Sequence, residues 1–81
     1  MTKEELKKRT KASHIAVIRL CENLPRNAAG YEIARQLIRS AGSVGANYRA
    51  ANRGKSTAAF IYKIEIVIEE ADESMYWLEV C

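Results

Sequence analysis

Residues 34–51 read ARQLIRSAGSVGANYRAA, and the spacing of side chains in this stretch predicts the fold. A small or apolar residue recurs every three or four positions, at Ala34, Leu37, Ala41, Val44, Tyr48 and Ala51. Alternating steps of three and four place all six on one side of an α-helix in heptad spacing. The stretch therefore predicts a long helix over about residues 28–53 with a narrow core-facing seam.

Two flanking segments show the same helical periodicity. The third helix, predicted over residues 57–81, carries a seam made of Phe60, Ile64, Val67, Ala71, Met75 and Leu78. The first helix, predicted over residues 3–23, aligns Leu6, Ser13, Val17, Leu20 and Leu24, with Ile15, Ile18 and Cys21 widening the apolar face. Short links between long helices make neighbours antiparallel. The chain is thus predicted to be all-α, an up-down antiparallel bundle in a single domain over residues 1–81.

The helix boundaries follow from capping residues. Asn27 suits the N-cap of the second helix, and Ser56 or Thr57 suits that of the third, because their side-chain oxygens accept a free backbone N–H. Pro25 ends the first helix. Gly54 follows the second helix where a left-handed residue commonly ends an α-helix, so we predict that conformation for it.

The third helix carries no stop signal at its end. Trp77, Leu78 and Val80 are large apolar residues of its last turns, and no glycine, asparagine or proline follows them. These side chains need cover. We therefore expect a fourth helix that is missing by truncation, or a partner chain that supplies the cover.

Composition excludes several classes of protein. A chain of 81 residues with 48% hydrophobic and 28% charged residues is typical of one small soluble domain. No apolar run approaches the roughly 20 residues of a membrane-spanning helix, and residues 1–11 lack the apolar core of a signal peptide. Cys21 and Cys81 are predicted to be free thiols in a reducing compartment. We expect a cytoplasmic protein that does not act in a membrane.

No constellation of residues predicts catalysis or a cofactor. His14 is the only histidine and lies seven residues from Cys21, about 10 Å along a helix, which is too far for a nucleophile–base hydrogen bond. Glu65 and Glu69 are spaced to share a cation, but the Glu-x-x-His motif of di-metal bundles is missing. We expect no enzyme activity, no metal and no cofactor.

A run of arginines marks the second helix on the side away from its seam. Arg35, Arg39, Gly42, Ala46, Arg49 and Arg53 recur at steps of four and three, and Lys55 follows. Small residues let another backbone approach, and arginine makes bidentate bonds to phosphates or carboxylates. One fitting partner is a nucleic-acid backbone. The other is the exposed acidic stripe of a second subunit, which includes Glu65, Glu69 and Asp72.

The net charge of +3 is concentrated early in the sequence. Residues 1–26 carry seven Lys/Arg against three Glu, whereas residues 27–81 carry six against seven Asp/Glu. The basic run at residues 7–11 belongs to the first helix. It adds a second surface suited to a polyanion.

The central stretch also resembles a known family. Residues 30–56, GYEIARQLIRSAGSVGANYRAANRGKS, are similar to the signature region of the four-helix-bundle proteins called 23S rRNA intervening-sequence proteins. Residues 60–64 and 70–79 look like that family's third helix, so the resemblance covers about residues 15–81. It implies a bacterial, cytoplasmic, non-enzymatic protein that forms an up-down-up-down bundle and a ring-like homo-oligomer, often a pentamer.

Two functional hypotheses therefore stay open. In the first, an oligomeric bundle binds RNA or DNA through Arg35, Arg39, Arg49, Arg53, Lys55 and the basic run of residues 7–11. In the second, the bundle is a protein–protein scaffold. There the arginines pair with Glu65, Glu69 and Asp72 of a neighbour, and Gly42 and Ala46 let the subunits approach.

Overall fold

Each of the three periodic segments forms one α-helix in the computed structural model, which describes all of residues 1–81. The helices are α1 (Lys3–Cys21), α2 (Ala28–Ala51) and α3 (Thr57–Val80). The all-α prediction is confirmed, and α1 and α2 each end two residues earlier than their spacing predicts. None of the helices is both long and apolar enough to cross a membrane.

Two of the predicted caps are present, and one is not. Asn27 Oδ1 accepts the Gly30 amide at 2.8 Å, and Ser56 Oγ accepts the Ala59 amide at 3.1 Å. The prediction for Gly54 is wrong, because no glycine has a positive φ. The chain leaves α2 through a right-handed turn at Asn52, whose side-chain amide donates to the Tyr48 carbonyl at 3.0 Å. The Ala50 and Ala51 carbonyls accept the amides of Arg53 and Gly54, each at 3.1 Å. Since these bonds satisfy the carbonyls at the end of α2, no left-handed residue is needed.

The central position belongs to α2, and both other helices pack against it. No Cα atom of α1 lies within 8 Å of a Cα atom of α3. The molecule is accordingly long and narrow, with extents of 44 × 20 × 16 Å. Residues that meet both neighbours must therefore come from α2.

The core is small and lies on the α2 seam, as the spacing predicts. Leu37 and Ala41 are buried with Val17 of α1, and half-buried Cys21, Ile38 and Trp77 pack around them. Trp77 thus has cover within the chain. Farther along the seam, Tyr48 and Ala51 are also buried. Both cysteines are free, and partial burial raises the pKa of the Cys21 thiol, with a smaller contribution from Cys81.

The α3 seam does not form a core, which corrects the sequence prediction. No residue of α3 is buried; Ile64 and Val67 of the seam are half-buried, and its other four residues, Phe60, Ala71, Met75 and Leu78, are exposed. The half-buried line that faces α2 instead includes Glu70, Ser74 and Trp77. The side of α3 that faces α2 is thus rotated away from the seam, and on it Ser74 Oγ lies 2.9 Å from the Oγ of Ser40, which is fully buried.

A groove runs between α1 and α3, with α2 as its floor. It encloses about 300 Å³. Its apolar lining includes Val17, Val44, Met75 and Leu78. The rotation of α3 points part of its seam toward this groove. The fourth helix, which would suit such a groove, stays a prediction.

Candidate nucleic-acid interface

The register of α1 against α2 decides which charges meet. Thr10 lies beside Gly45, and His14 lies beside Gly42. Farther along, the Cys21 thiol approaches the Ala34 carbonyl at 4.0 Å. Because the two helices are antiparallel, the basic first half of α1 lies along the second half of α2.

The register of α2 against α3 brings the start of α3 to the same end of the molecule. Arg39 Nη1 lies 2.9 Å from Glu70 Oε2, and the hydroxyl groups of Ser40 and Ser74 meet at 2.9 Å. Antiparallel continuation from these pairs places Lys55 and the first turns of α3 beside the end of α2. Three separate stretches of sequence therefore meet at one end.

This end, formed by residues 1–12 and 45–65, is strongly basic and is here called the basic end. It carries nine Lys/Arg against Glu4, Glu5 and Glu65, for a net charge of +6. The basic residues are Lys3, Lys7, Lys8, Arg9, Lys11, Arg49, Arg53, Lys55 and Lys63. The remainder, the acidic end, carries four arginines against seven Asp/Glu, for a net charge of −3. The charge asymmetry along the 44 Å axis is thus larger than the asymmetry along the sequence.

Most cations of the basic end have no acidic partner. Among the nine, Lys7 has an ion pair, with Glu4 at 3.4 Å, and no other takes part in one. Arg49, Arg53 and Lys55, which the sequence singles out, are exposed. Unpaired, exposed guanidinium and ammonium groups retain their full capacity for an anionic partner.

The other two arginines singled out by sequence have partners in their own chain. Arg35 pairs with Glu32 one turn earlier on α2, at 2.8 Å, and this hydrogen bond lowers the pKa of Glu32. Arg39 reaches across to α3, where it pairs with both Glu70 and Glu73. Both lie in the acidic end. The arginines on this side of α2 therefore differ in their environment. Arg35 and Arg39 form ion pairs within the chain, whereas Arg49 and Arg53 do not.

Arg39 belongs to a small network that joins α2 to α3. Its guanidinium bonds to Glu73, and Trp77 Nε1 donates to Glu73 Oε2 at 3.0 Å. These two hydrogen bonds, with that from Arg39 the larger cause, hold the pKa of the Glu73 carboxyl below its ordinary value. The same bond raises the pKa of Arg39. This network gives Arg39 a structural partner.

The residues predicted to contact another subunit have different environments. Glu65, Glu69 and Asp72 are exposed and unpaired. Gly42 is not open to a neighbour's backbone, because α1 lies against it. A Cβ atom at Gly42 would fall 2.9 Å from Cε1 and Nε2 of the His14 ring. The flank that the sequence assigns to a second subunit is therefore partly covered by α1.

A cleft of about 360 Å³ opens between α1 and α2 at the basic end. Its lining consists of Thr10, Lys11, His14, Gly42, Gly45, Ala46 and Arg49. The cleft joins the basic run of α1 to the arginines of α2. Sequence reasoning did not include His14 and Gly45 in the site. The available signal was the Gly-x-x-Gly spacing at positions 42 and 45, which marks a close approach of another helix.

No group of three or more His, Cys, Asp or Glu side chains is arranged to hold a metal ion. The carboxylates of α3 instead bond to Arg39 or face solvent.

Comparison with known proteins gives one family. The family model described as 23S rRNA-intervening sequence protein matches residues 3–81. A solved chain from Bacteroides thetaiotaomicron VPI-5482, a protein with unknown function from the S23 ribosomal protein family, superimposes with a TM-score of 0.87 at 32% identity. The alignment covers 99% of this chain and 71% of that chain. No curated protein shows a significant match.

Proposed function

The chain belongs to the 23S rRNA-intervening sequence protein family, and from this premise we propose that it is a non-enzymatic bundle protein that binds the backbone of RNA or DNA through its basic end. The single observation that carries the proposal is the convergence of nine Lys/Arg, eight of them without an ion pair, at one end of the molecule. Phosphate contacts of this kind supply sequence-independent affinity.

Exposed aromatic side chains at the same end favour single-stranded nucleic acid. Phe60 and Tyr62, at the start of α3, are 41% and 62% exposed. Lys55 and Lys63 flank them in the sequence. Aromatic rings beside cations stack with unpaired bases while the cations follow the backbone. We therefore expect an unpaired RNA or DNA segment to bind more tightly than a duplex of the same length.

A charge-matched pair of double variants tests this proposal. Arg49→Ala with Arg53→Ala removes two cations of the basic end. Arg19→Ala with Arg26→Ala removes two unpaired arginines of the acidic end. Affinity for a labelled single-stranded RNA is measured by fluorescence anisotropy between about 50 and 200 mM salt, a range over which backbone binding weakens strongly. We expect the first pair to weaken binding at least about tenfold and to lower the salt slope by roughly 1.4.

The control variant should bind like the unmodified protein, because the net charge changes equally in both. Equal loss of affinity in the two variants would mean that binding follows total charge and not the basic end. Affinity that does not depend on salt would also contradict the proposal, provided that circular dichroism shows intact helices.

A binding role without catalysis agrees with the surroundings of the polar residues. His14 Nε2 is enclosed and has no hydrogen-bond partner in the protein. The free thiols of Cys21 and Cys81 each approach a backbone carbonyl, that of Ala34 and that of Leu78, and burial disfavours the Cys21 thiolate. We propose that the protein acts in the reducing cytoplasm, where both thiols persist.

A second candidate function, a protein–protein scaffold, has its own observation. The apolar side of α3 is uncovered, with Ile61, Ile68 and Met75 between 51% and 62% exposed. Apolar surface of this extent is typical of an interaction site. We propose that the chain self-associates through this side of α3. Contact between the α2 arginines and the acidic stripe of a second subunit is less well supported, because Arg39 already pairs with Glu70 and Glu73 of its own chain.

Light scattering of the double variant Ile68→Ser with Met75→Ser tests self-association. A lower native mass than that of the unmodified protein is expected, since both side chains lie outside the core. An unchanged mass above that of the monomer would assign the oligomer to another surface, and a monomeric unmodified protein would refute the scaffold. Arg39→Glu is unsuitable as a probe, because it would place three carboxylates together within one chain.

A further inference from the structure

The cleft between α1 and α2 is an unfilled space where two helices would ordinarily pack apolar side chains. Protein interiors are close-packed, and facing helices usually interdigitate. Here α2 presents Gly42, Gly45 and Ala46, and α1 presents the polar residues Thr10 and His14. The result is an open depression of about 360 Å³ beside the helix–helix contact, lined by small residues and by the side chains of Thr10, His14, Lys11 and Arg49.

The glycines of the lining let two side chains of α1 lie close to α2. A Cβ atom at Gly42 would lie 2.9 Å from the His14 ring, and one at Gly45 would lie 3.3 Å from Thr10 Oγ1. Both α1 side chains therefore lie against the backbone of α2. Ala46, one residue further, is exposed and lines the cleft without filling it.

The charges around the cleft have a single sign. Lys11 and Arg49 line it, neither has an ion pair, and no Asp or Glu contributes to the lining. The Thr10 hydroxyl donates to the Lys7 carbonyl at 3.1 Å, so the charged donors of the lining are the Lys11 ammonium and the Arg49 guanidinium. A guanidinium beside an ammonium suits the tetrahedral oxygens of a phosphate group.

We propose that this cleft is a seat for one phosphate group, held between Lys11 of α1 and Arg49 of α2. The inference rests on the proposed function and deepens it, since it gives one phosphate of the bound strand a defined position. At about 30 Å³ for each water, the cleft has room for on the order of ten waters. That space admits a phosphate with its sugar.

The four glycines and the single histidine make the seat directly observable. In protein labelled with ¹⁵N-glycine, Gly42 and Gly45 report on the cleft, whereas Gly30 and Gly54 lie at the ends of α2 and outside it. Titration with inorganic phosphate at constant ionic strength and pH should shift the Gly42 and Gly45 amide signals and the His14 imidazole signals, with saturation. Acetate should leave them in place. The Gly30 and Gly54 signals should stay still in both titrations.

A variant that fills the cleft without removing a cation separates the seat from general electrostatic binding. Ala46→Leu places a larger side chain on the exposed lining of the cleft, and Ala16→Leu makes the same change on an exposed position of α1 outside it. Ala46→Leu should abolish the phosphate-induced shifts, and Ala16→Leu should retain them. Shifts that persist in a folded Ala46→Leu variant, or equal shifts of all four glycines, would overturn the proposal.

The source of the phosphate is decided with oligonucleotides that carry either a 5′-phosphate or a 5′-hydroxyl. A roughly tenfold loss of affinity in Ala46→Leu for the phosphorylated strand alone assigns the seat to a terminal phosphate. A similar loss for both strands assigns it to an internal phosphodiester, and no loss for either overturns the seat. Oligonucleotide binding that still depends on Arg49 and Arg53 would in that last case leave the broader function standing.

Discussion

Gly30 lies in the first turn of α2, against the loop that follows α1. A Cβ atom at this position would fall 1.9 Å from the carbonyl oxygen of Pro25, which is a backbone atom. The contact requires glycine for its lack of a side chain and not for its backbone conformation, since φ is negative here. Gly30 thus fixes how closely the loop turns back onto α2.

Gly30→Ala should destabilise the protein although alanine is the better helix former. We expect a loss of about 1–3 kcal/mol in the free energy of unfolding, because the Pro25 backbone must move. Gly45→Ala is the matched control, since its Cβ would meet a side-chain atom, Thr10 Oγ1, at 3.3 Å and not a backbone atom at 1.9 Å. Urea unfolding followed by circular dichroism compares the two. Equal stability of both variants would contradict the assigned contact.

Glu73 and Trp77 provide a titration that is visible by fluorescence, since Trp77 is the only tryptophan. The pKa of Glu73 is lowered in the folded state by its bonds to Arg39 and Trp77. A carboxylate with a lowered pKa stabilises the fold above its unfolded pKa and loses that contribution as the pH falls through the folded one. We expect the emission of Trp77 to change at a pH below the ordinary range of glutamate.

Arg39→Ala should move that midpoint upward, because the larger cause of the lowered pKa is removed. Arg35→Ala removes an arginine whose partner, Glu32, lies on its own helix, and should leave the Trp77 midpoint in place. A midpoint that responds equally to both substitutions would mean that general charge, and not the Arg39–Glu73 bond, sets it.

At the scale of the helices, periodicity predicted which residues form each helix better than it predicted which side of the helix faces its neighbour. The α2 seam, at Leu37, Ala41 and Tyr48, is buried as its spacing requires. The α3 seam is not, although its spacing is equally regular. Apolar spacing locates the apolar side of a helix. It does not show that a different side of α3, the one that carries the Ser40–Ser74 and Arg39–Glu73 bonds, faces α2.

Substitutions on the two seams should therefore have unequal costs. Leu37→Ala, at a fully buried position, should lower the free energy of unfolding by about 2–5 kcal/mol. Ile68→Ser and Met75→Ser, at positions 62% and 56% exposed, should each cost no more than about 0.5–1 kcal/mol. Chemical denaturation at low protein concentration compares them. A cost above 2 kcal/mol for Met75→Ser would place α3 in the rotation that its sequence suggests.

For the whole molecule, the sequence predicted which basic residues could bind an anion but not where the fold brings them together. The arginines of α2 and the basic run of α1 are visible in the sequence as separate features. Their meeting depends on the register in which His14 lies beside Gly42 and Thr10 beside Gly45. That register comes from side-chain fit between residues about 28 and 35 positions apart in the sequence, which local spacing does not encode. The division between free Arg49 and bonded Arg39 has the same origin.

The placement of α1 has a consequence for motion. This helix touches α2 along one side and makes no close approach to α3, so it has the fewest attachments to the rest of the chain. Its amide protons should therefore exchange with solvent through detachment of the helix, well before those of the α2 core. A phosphate bound to both Lys11 and Arg49 would hold α1 against α2 and so oppose its detachment. Above the dissociation constant, each tenfold rise in phosphate concentration should slow the exchange of the α1 amides about tenfold. The exchange rate of the α1 amides would then report whether the site is occupied.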